Sequence, residues 1–172
     1  MRSLFLAAVL VLSGCAGMDK AQCVNANWYA IGLEDGARGA SVERLGAHRR
    51  ACAEFNVSPD AERYVAGRRE GLKSFCTYER GYSVGRAGSA YSGACPPELG
   101  GNFLAGYNRG RELHGLNRRL DQVNADIRKT KAGLSEPGVS PRTRAQLAER
   151  LEGLSREAEY LEQQVAQAQA RR

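Results

Sequence analysis

An aromatic residue followed by glycines at helical spacing is written four times in this chain, and no other feature limits its fold as strongly. Tyr29, Gly32, Gly36 and Gly39 stand at steps of three, four and three; Tyr78, Gly81, Gly85 and Gly88 repeat those steps 49 residues later. Two shorter copies keep the rule: Tyr64, Gly67, Gly71 and Phe103, Gly106, Gly110. Such steps bring the ring and the glycines to one face of an α-helix. A glycine costs a helix interior about 1 kcal/mol relative to alanine, so ten of them on such faces require a compensating contact. We assign these ten positions to helix packing, with a neighbouring backbone or ring against each bare face. Gly-rich turns are the competing reading.

Taken in order, Asn27 to Gly39 reads as a helix capped by Asn25 or Asn27. Ser41 caps a second segment whose apolar side is Val42, Leu45, Cys52 and Phe55. Val57 to Asp60 breaks it, and a third helix runs Ala61 to Phe75. Another follows at Tyr78 with scarcely any loop and ends before Pro96 and Pro97. PDAERYVAGRREGL then matches PELGGNFLAGYNRGREL with one residue inserted before the ring, so the chain reads as a duplication, A-B then A′-B′. Two repeats are fewer than a solenoid needs, and a compact closed unit is expected.

The last motif helix continues as a heptad seam: Leu113, Leu116, Leu120, Val123, Ile127, Thr130 and Leu134. Glu136 to Ser140 turns the chain, with Ser140 as cap and Pro141 at the first helical position. The return strip is Leu147, Leu151, Leu154, Ala158, Leu161, Val165 and Ala168. Antiparallel folding pairs Leu134 with Leu147, Ile127 with Leu154 and Leu120 with Leu161. Dimerisation with another chain would use the same seam. The fold class is therefore all-α: a small disulfide-stapled Gly/aromatic-repeat head, 23–112, with a C-terminal antiparallel coiled-coil hairpin, 113–172. A length of 172 residues with 42% apolar content allows one modest core.

Residues 1–14 read as a cleaved signal peptide: Arg2, then an apolar run from Leu4 to Leu12 too short to span a membrane permanently. Leu12-Ser13-Gly14-Cys15 resembles the bacterial lipobox, which implies cleavage before Cys15 and acylation of that cysteine. Two or more acyl chains give stable membrane attachment. Ala16 and Gly17 follow without an aspartate, and resemblance to Gram-negative lipoproteins then implies the outer membrane, facing the periplasm. The lipidated tether, 15–22, spans at most about 25 Å beyond the anchor when extended.

Removing Cys15 leaves Cys23, Cys52, Cys76 and Cys95, an even set for an oxidising compartment, and two disulfides are expected. Three connectivities are open. Pairing Cys23 with Cys52 and Cys76 with Cys95 is favoured because each pair closes one half of the duplication. No C-x-x-C occurs, which disfavours zinc and redox motifs.

A net charge of +6 allows nucleic-acid binding, but an exported chain meets acidic lipid or anionic cell-wall polymer instead, and interspersed acids favour a solvated surface. The two histidines, His48 and His114, lack ligand-spaced partners and read as surface or partly buried helix residues, so no metal and no cofactor is expected. Glu34, Asp35, Glu70 and Glu112 recur near motif glycines. Paired carboxylates serve glycoside chemistry, but a solvated helix face, or ion pairs to Arg38, Arg68 or Arg111, explains them more simply. No serine elbow, P-loop or dinucleotide fingerprint appears, so no catalytic residue is assigned. Most of Trp28, Tyr29, Tyr64, Tyr78, Tyr82, Tyr91, Phe103 and Tyr107 should form the core, because residues 25–110 hold few leucines and isoleucines.

Residues 20 to 118 resemble a family of uncharacterised bacterial lipoproteins, domain of unknown function 2799. The resemblance rests on Cys23 before Trp28; Gly32, Gly36 and Gly39; Cys52; Tyr64-x-x-Gly67-x-x-x-Gly71-Leu72; Cys76; GYSVGRAG; Tyr91; Cys95-Pro96; and Phe103-x-x-Gly106-Tyr107-x-x-Gly110. It implies a fold and an address and assigns no activity. The expectation is a non-enzymatic scaffold or adaptor with an envelope protein partner, anchored to the membrane by lipid. The alternative is a module that binds cell-wall glycan or anionic polymer, and a hydrolase using Glu34 or Asp35 is the third reading.

Overall fold

The structure, a computed structural model, describes residues 18–171. The leader and the expected lipidation site at Cys15 lie outside the described residues. Those described form helices without strands: α1 (Lys20–Val24), α2 (Trp28–Ala37), α3 (Arg44–Ala53), α4 (Ala61–Phe75), α5 (Tyr78–Arg86), α6 (Pro97–Ser135) and α7 (Pro141–Ala170). Two compact units divide within α4, between Gly71 and Leu72. The division follows the duplication rather than the boundary expected at residue 112. Helix α6 runs unbroken across residue 112, since its prolines stand only at its start.

In the first unit Asn27 caps α2, its side chain accepting from the Ala30 N–H at 3.2 Å. A side-chain carbon at Gly32 would overlap the Tyr64 carbonyl on α4. Gly67 stands in the same way against the Tyr29 carbonyl, and Gly71 against that of Leu33. The contact is reciprocal: each helix places its glycine, three residues past its ring, on the carbonyl of the partner's aromatic residue. Close approach of this kind needs a residue without Cβ, so backbone, not a ring, covers the bare faces.

The second unit repeats the device. Gly81 and Gly85 on α5 meet the Phe103 and Tyr107 carbonyls, while Gly106 and Gly110 on α6 meet those of Tyr78 and Tyr82. The sequence reading assigns Gly39 and Gly88 to packing within helices; both instead stop them. Each has φ of 71°, and the next residue donates back five positions, Ala40 to Asp35 at 2.9 Å and Ser89 to Val84 at 3.2 Å. That pattern ends a helix on a left-handed glycine. Ser41 is not a helix cap either. Helix α3 begins at Arg44 without a side-chain cap, after a turn in which the Ser41 carbonyl accepts from Arg44 N–H, and Val42 is exposed.

Disulfides join Cys23 to Cys52 and Cys76 to Cys95, one in each half of the duplication. The first lies in a core with Trp28, Leu45 and Tyr64. Around the second pack Leu72, Phe75, Ala94 and Phe103. Seven of the eight aromatic residues above are buried or half-buried, and Tyr29 is exposed.

The hairpin closes on itself. Val123, Ala158 and Leu161 are buried between α6 and α7, flanked by Leu116, Leu120, Ile127 and Leu154. At its base Leu113 and Ala168 bury Tyr82 of α5. Ser140 caps α7 by accepting from the Thr143 N–H at 3.1 Å, with Pro141 at the first helical position. The one hydroxyl on the seam, Thr130, is buried and donates to the Asp126 carbonyl at 2.8 Å.

Candidate functional site

Asp35 lies three residues past Gly32, on the face of α2 that packs inward, and is only 6% exposed. A buried carboxylate requires partners, and two helices supply them. From α4 the Tyr64 hydroxyl donates to Oδ2 at 2.9 Å. From α3 the His48 Nε2 lies 2.8 Å from the same oxygen. An ionised carboxylate only accepts, so Nε2 carries the hydrogen and Nδ1 is the ring's remaining nitrogen. Arg44, one turn before His48 on α3, brings its Nε to 4.0 Å from Oδ1. The imidazole is held edge-on by Trp28 and Tyr64, with centroids 6.1 and 5.9 Å away. Burial, and then the bond to Asp35, push the Tyr64 phenol well above its ordinary range.

These positions correct the sequence reading in two places. His48, read as a surface or partly buried residue, is buried and joined to a carboxylate. Asp35 belongs to neither a solvated face nor a pair with Arg38 or Arg68. Arg38 pairs with Glu34 at the surface. Arg68 donates to the Ala40 carbonyl, at 3.2 Å from Nε and 2.8 Å from the guanidinium end. Glu112 pairs with Arg109 at 2.6 Å rather than with Arg111. His114 places Nδ1 3.1 Å from the Arg86 carbonyl, against the end of α5.

The second unit shows what the same helix pair looks like without this polar set. Val84 stands 49 residues after Asp35, and Phe103 holds the place of Tyr64 in the shorter motif. Val84 and Tyr91 pack against Phe103, with the Tyr91 and Phe103 rings 4.5 Å apart. Glycine-packed helices of this design therefore close with valine and phenylalanine at the places that Asp35 and Tyr64 hold in the first unit. The assembly of Asp35, His48 and Tyr64 is extra to the fold. Its one sequence signal was the phase of Asp35, on the glycine face, at a position where the second copy carries valine.

Beside the polar set a cleft of about 340 Å³ opens among α1, α2 and α3. Gln22, Glu34, Arg38 and Arg44 line it, together with Asp35 and His48. Met18 and Ile31 add an apolar stretch. The second feature is the hairpin, which completes its seam in one chain and exposes Tyr160 on α7 to 60%. No described helix is long and apolar enough to cross a membrane.

Taken together, the helices, the disulfides and the paired glycine faces define an all-helical protein built on an internal duplication, with a hairpin appended to its second unit. A model of the family described as protein of unknown function (DUF2799) matches residues 27–112, half of the chain. The chain belongs to that family. The match ends within α6, so most of the hairpin lies beyond the family domain. No curated protein and no solved structure matches the chain.

Proposed function

We propose that this chain is a lipid-anchored envelope protein, held at the outer membrane and facing the periplasm, that works without catalysis as a scaffold or adaptor for another envelope protein. The leader ending at Cys15 supports the address, as do four further cysteines joined within the chain. The observation that carries the role is the closed hairpin. Its apolar seam is satisfied by its own two arms, so the outer faces of α6 and α7 are free to engage a different protein without a second copy. At about 1.5 Å per residue, the 30 residues of α7 offer an edge of about 45 Å. Its position beyond the family domain fits an element added for a partner of this chain's own.

The test is in-cell crosslinking from photoreactive residues at Val139 and Gln163. A discrete adduct with a different envelope protein is expected. A self-adduct would make the hairpin a dimerisation element, and silence at both sites would overturn the adaptor reading. The address is checked separately: Cys15→Ser should abolish incorporation of labelled palmitate and release the protein from membranes.

A further inference from the structure

We propose that the cleft among α1, α2 and α3 binds one sugar unit of a glycan. This concerns the first unit alone and stands apart from the hairpin.

The first ground is comparative. Burying a carboxylate, an imidazole and a phenol is costly unless each is satisfied, and the second unit closes the same helix pair with Val84, Tyr91 and Phe103. The polar set is not what the fold needs. It does hold the inner wall of the cleft: Tyr64 and His48 fix the Asp35 carboxylate from two helices, and the Cys23–Cys52 bridge ties α1, which carries Gln22, to α3, which carries His48 and Arg44. Walls fixed before a ligand arrives reduce the ordering cost of binding.

The second ground is the chemistry of the lining. Gln22, Glu34, Asp35, Arg38, Arg44 and His48 all end in planar groups with fixed hydrogen-bond directions. Two carboxylates face two guanidiniums, so the cleft offers donors and acceptors together rather than a field of one sign. A simple anion needs a surplus of donors and a metal cation a surplus of acceptors. A hydroxyl both donates and accepts, and a ring carrying several hydroxyls uses the whole mixed set. With Nε2 committed to Asp35, Nδ1 is the ring nitrogen of His48 left for a ligand. Arg44 touches Asp35 only at 4.0 Å and its side chain is 56% exposed, so its N–H groups can turn to a ligand. Met18 and Ile31 suit the C–H face of a sugar ring. A volume of about 340 Å³ is at the lower end for ligand sites, enough for a single ring and its substituents.

The experiment is titration calorimetry on the full mature chain in detergent. The probes are tetramers of β-linked N-acetylglucosamine, of β-linked glucose and of galacturonic acid, with inorganic phosphate and acetate as anion controls. Saturable binding of at least one tetramer is expected. It should weaken tenfold or more in Gln22→Ala and in Arg44→Ala, with the fold of each variant checked by circular dichroism, because Gln22 also accepts from the Asp19 N–H and Arg44 lies beside Asp35. The neutral and acidic tetramers distinguish a neutral from an acidic sugar. Absence of heat with all three tetramers overturns the proposal. So does tetramer binding that both variants leave unchanged, since the ligand then sits elsewhere, and so does phosphate or acetate binding with the same sensitivity to the variants.

Discussion

At the scale of single residues, Asp35 and Tyr64 are coupled through one hydrogen bond in the interior. Asp35→Val leaves the Tyr64 hydroxyl and His48 without their acceptor and should cost about 1–3 kcal/mol. Adding Tyr64→Phe, which copies the Val84 and Phe103 of the second unit, should restore part of that loss. Urea denaturation of both single variants and the double variant reads the non-additivity directly. The raised phenol of Tyr64 gives a second outcome. Its folded form resists ionisation, whereas the unfolded phenol ionises near 10.0, so its contribution is complete below that pH and is lost as pH rises above it. Stability of the native chain should therefore fall more steeply above about pH 10 than that of Tyr64→Phe, in melts followed by circular dichroism. His48 was not readable as a partner of Asp35 because the two are thirteen residues apart, on different helices. Helical phase fixes which way a residue faces, not what meets it there.

At the scale of helices, the glycines fall into two classes that spacing alone separates only in part. Gly32→Ala and Gly106→Ala push a methyl into a carbonyl on a packed backbone, which cannot move aside as a side chain can. Each should destabilise its unit by about 1–3 kcal/mol, and leucine at either site by more. Gly115 in α6 and Gly153 in α7 have open space where a Cβ would stand, so alanine there should stabilise by about 0.5–1 kcal/mol. Thermal denaturation of the four alanine variants separates the classes by sign. Seven of the motif glycines, Gly32, Gly67, Gly71, Gly81, Gly85, Gly106 and Gly110, lie against a partner's backbone. The motif steps placed Gly39 and Gly88 within helices, although the backbone has already turned left-handed there; Gly88 still packs, against the ring of His114. A third step of three residues fits an ongoing helix and a left-handed stop equally well.

For the whole molecule, the duplication was legible because it is written in glycine, proline and cysteine, residues whose constraints are local and strong. The place where the chain divides was not. The heptad seam beginning at Leu113 suggested a boundary at residue 112, but α6 serves the glycine-packed pair at one end and the hairpin at the other, and a continuous helix carries no mark of where its duties change. The two bridges close loops with separations of 29 and 19 residues, each worth about 3 kcal/mol in the chain-entropy model. Because each lies within one unit, Cys23→Ser with Cys52→Ser should raise amide exchange mainly in residues up to Gly71. Cys76→Ser with Cys95→Ser should raise it mainly beyond Leu72. Hydrogen exchange read by mass spectrometry resolves the two, and equal losses across both units would contradict separate cores.

The hairpin's seam also sets a rule for how its length can change. Val123 and Ile127 of one arm share a core with Leu154 and Ala158 of the other, and the seam repeats at heptad spacing. Excising 124–130 together with 148–154 removes one heptad, with its two core positions, from each arm and lets the remaining layers meet as before. Loss of five residues from one arm would instead rotate the rest of its stripe by about 140°, at roughly 100° per residue, and turn leucines to water. Reach along this rod is thus adjustable in whole heptads taken from both arms at once, so a partner binding near the tip could be met at graded distances without altering a single contact in the glycine-packed helices.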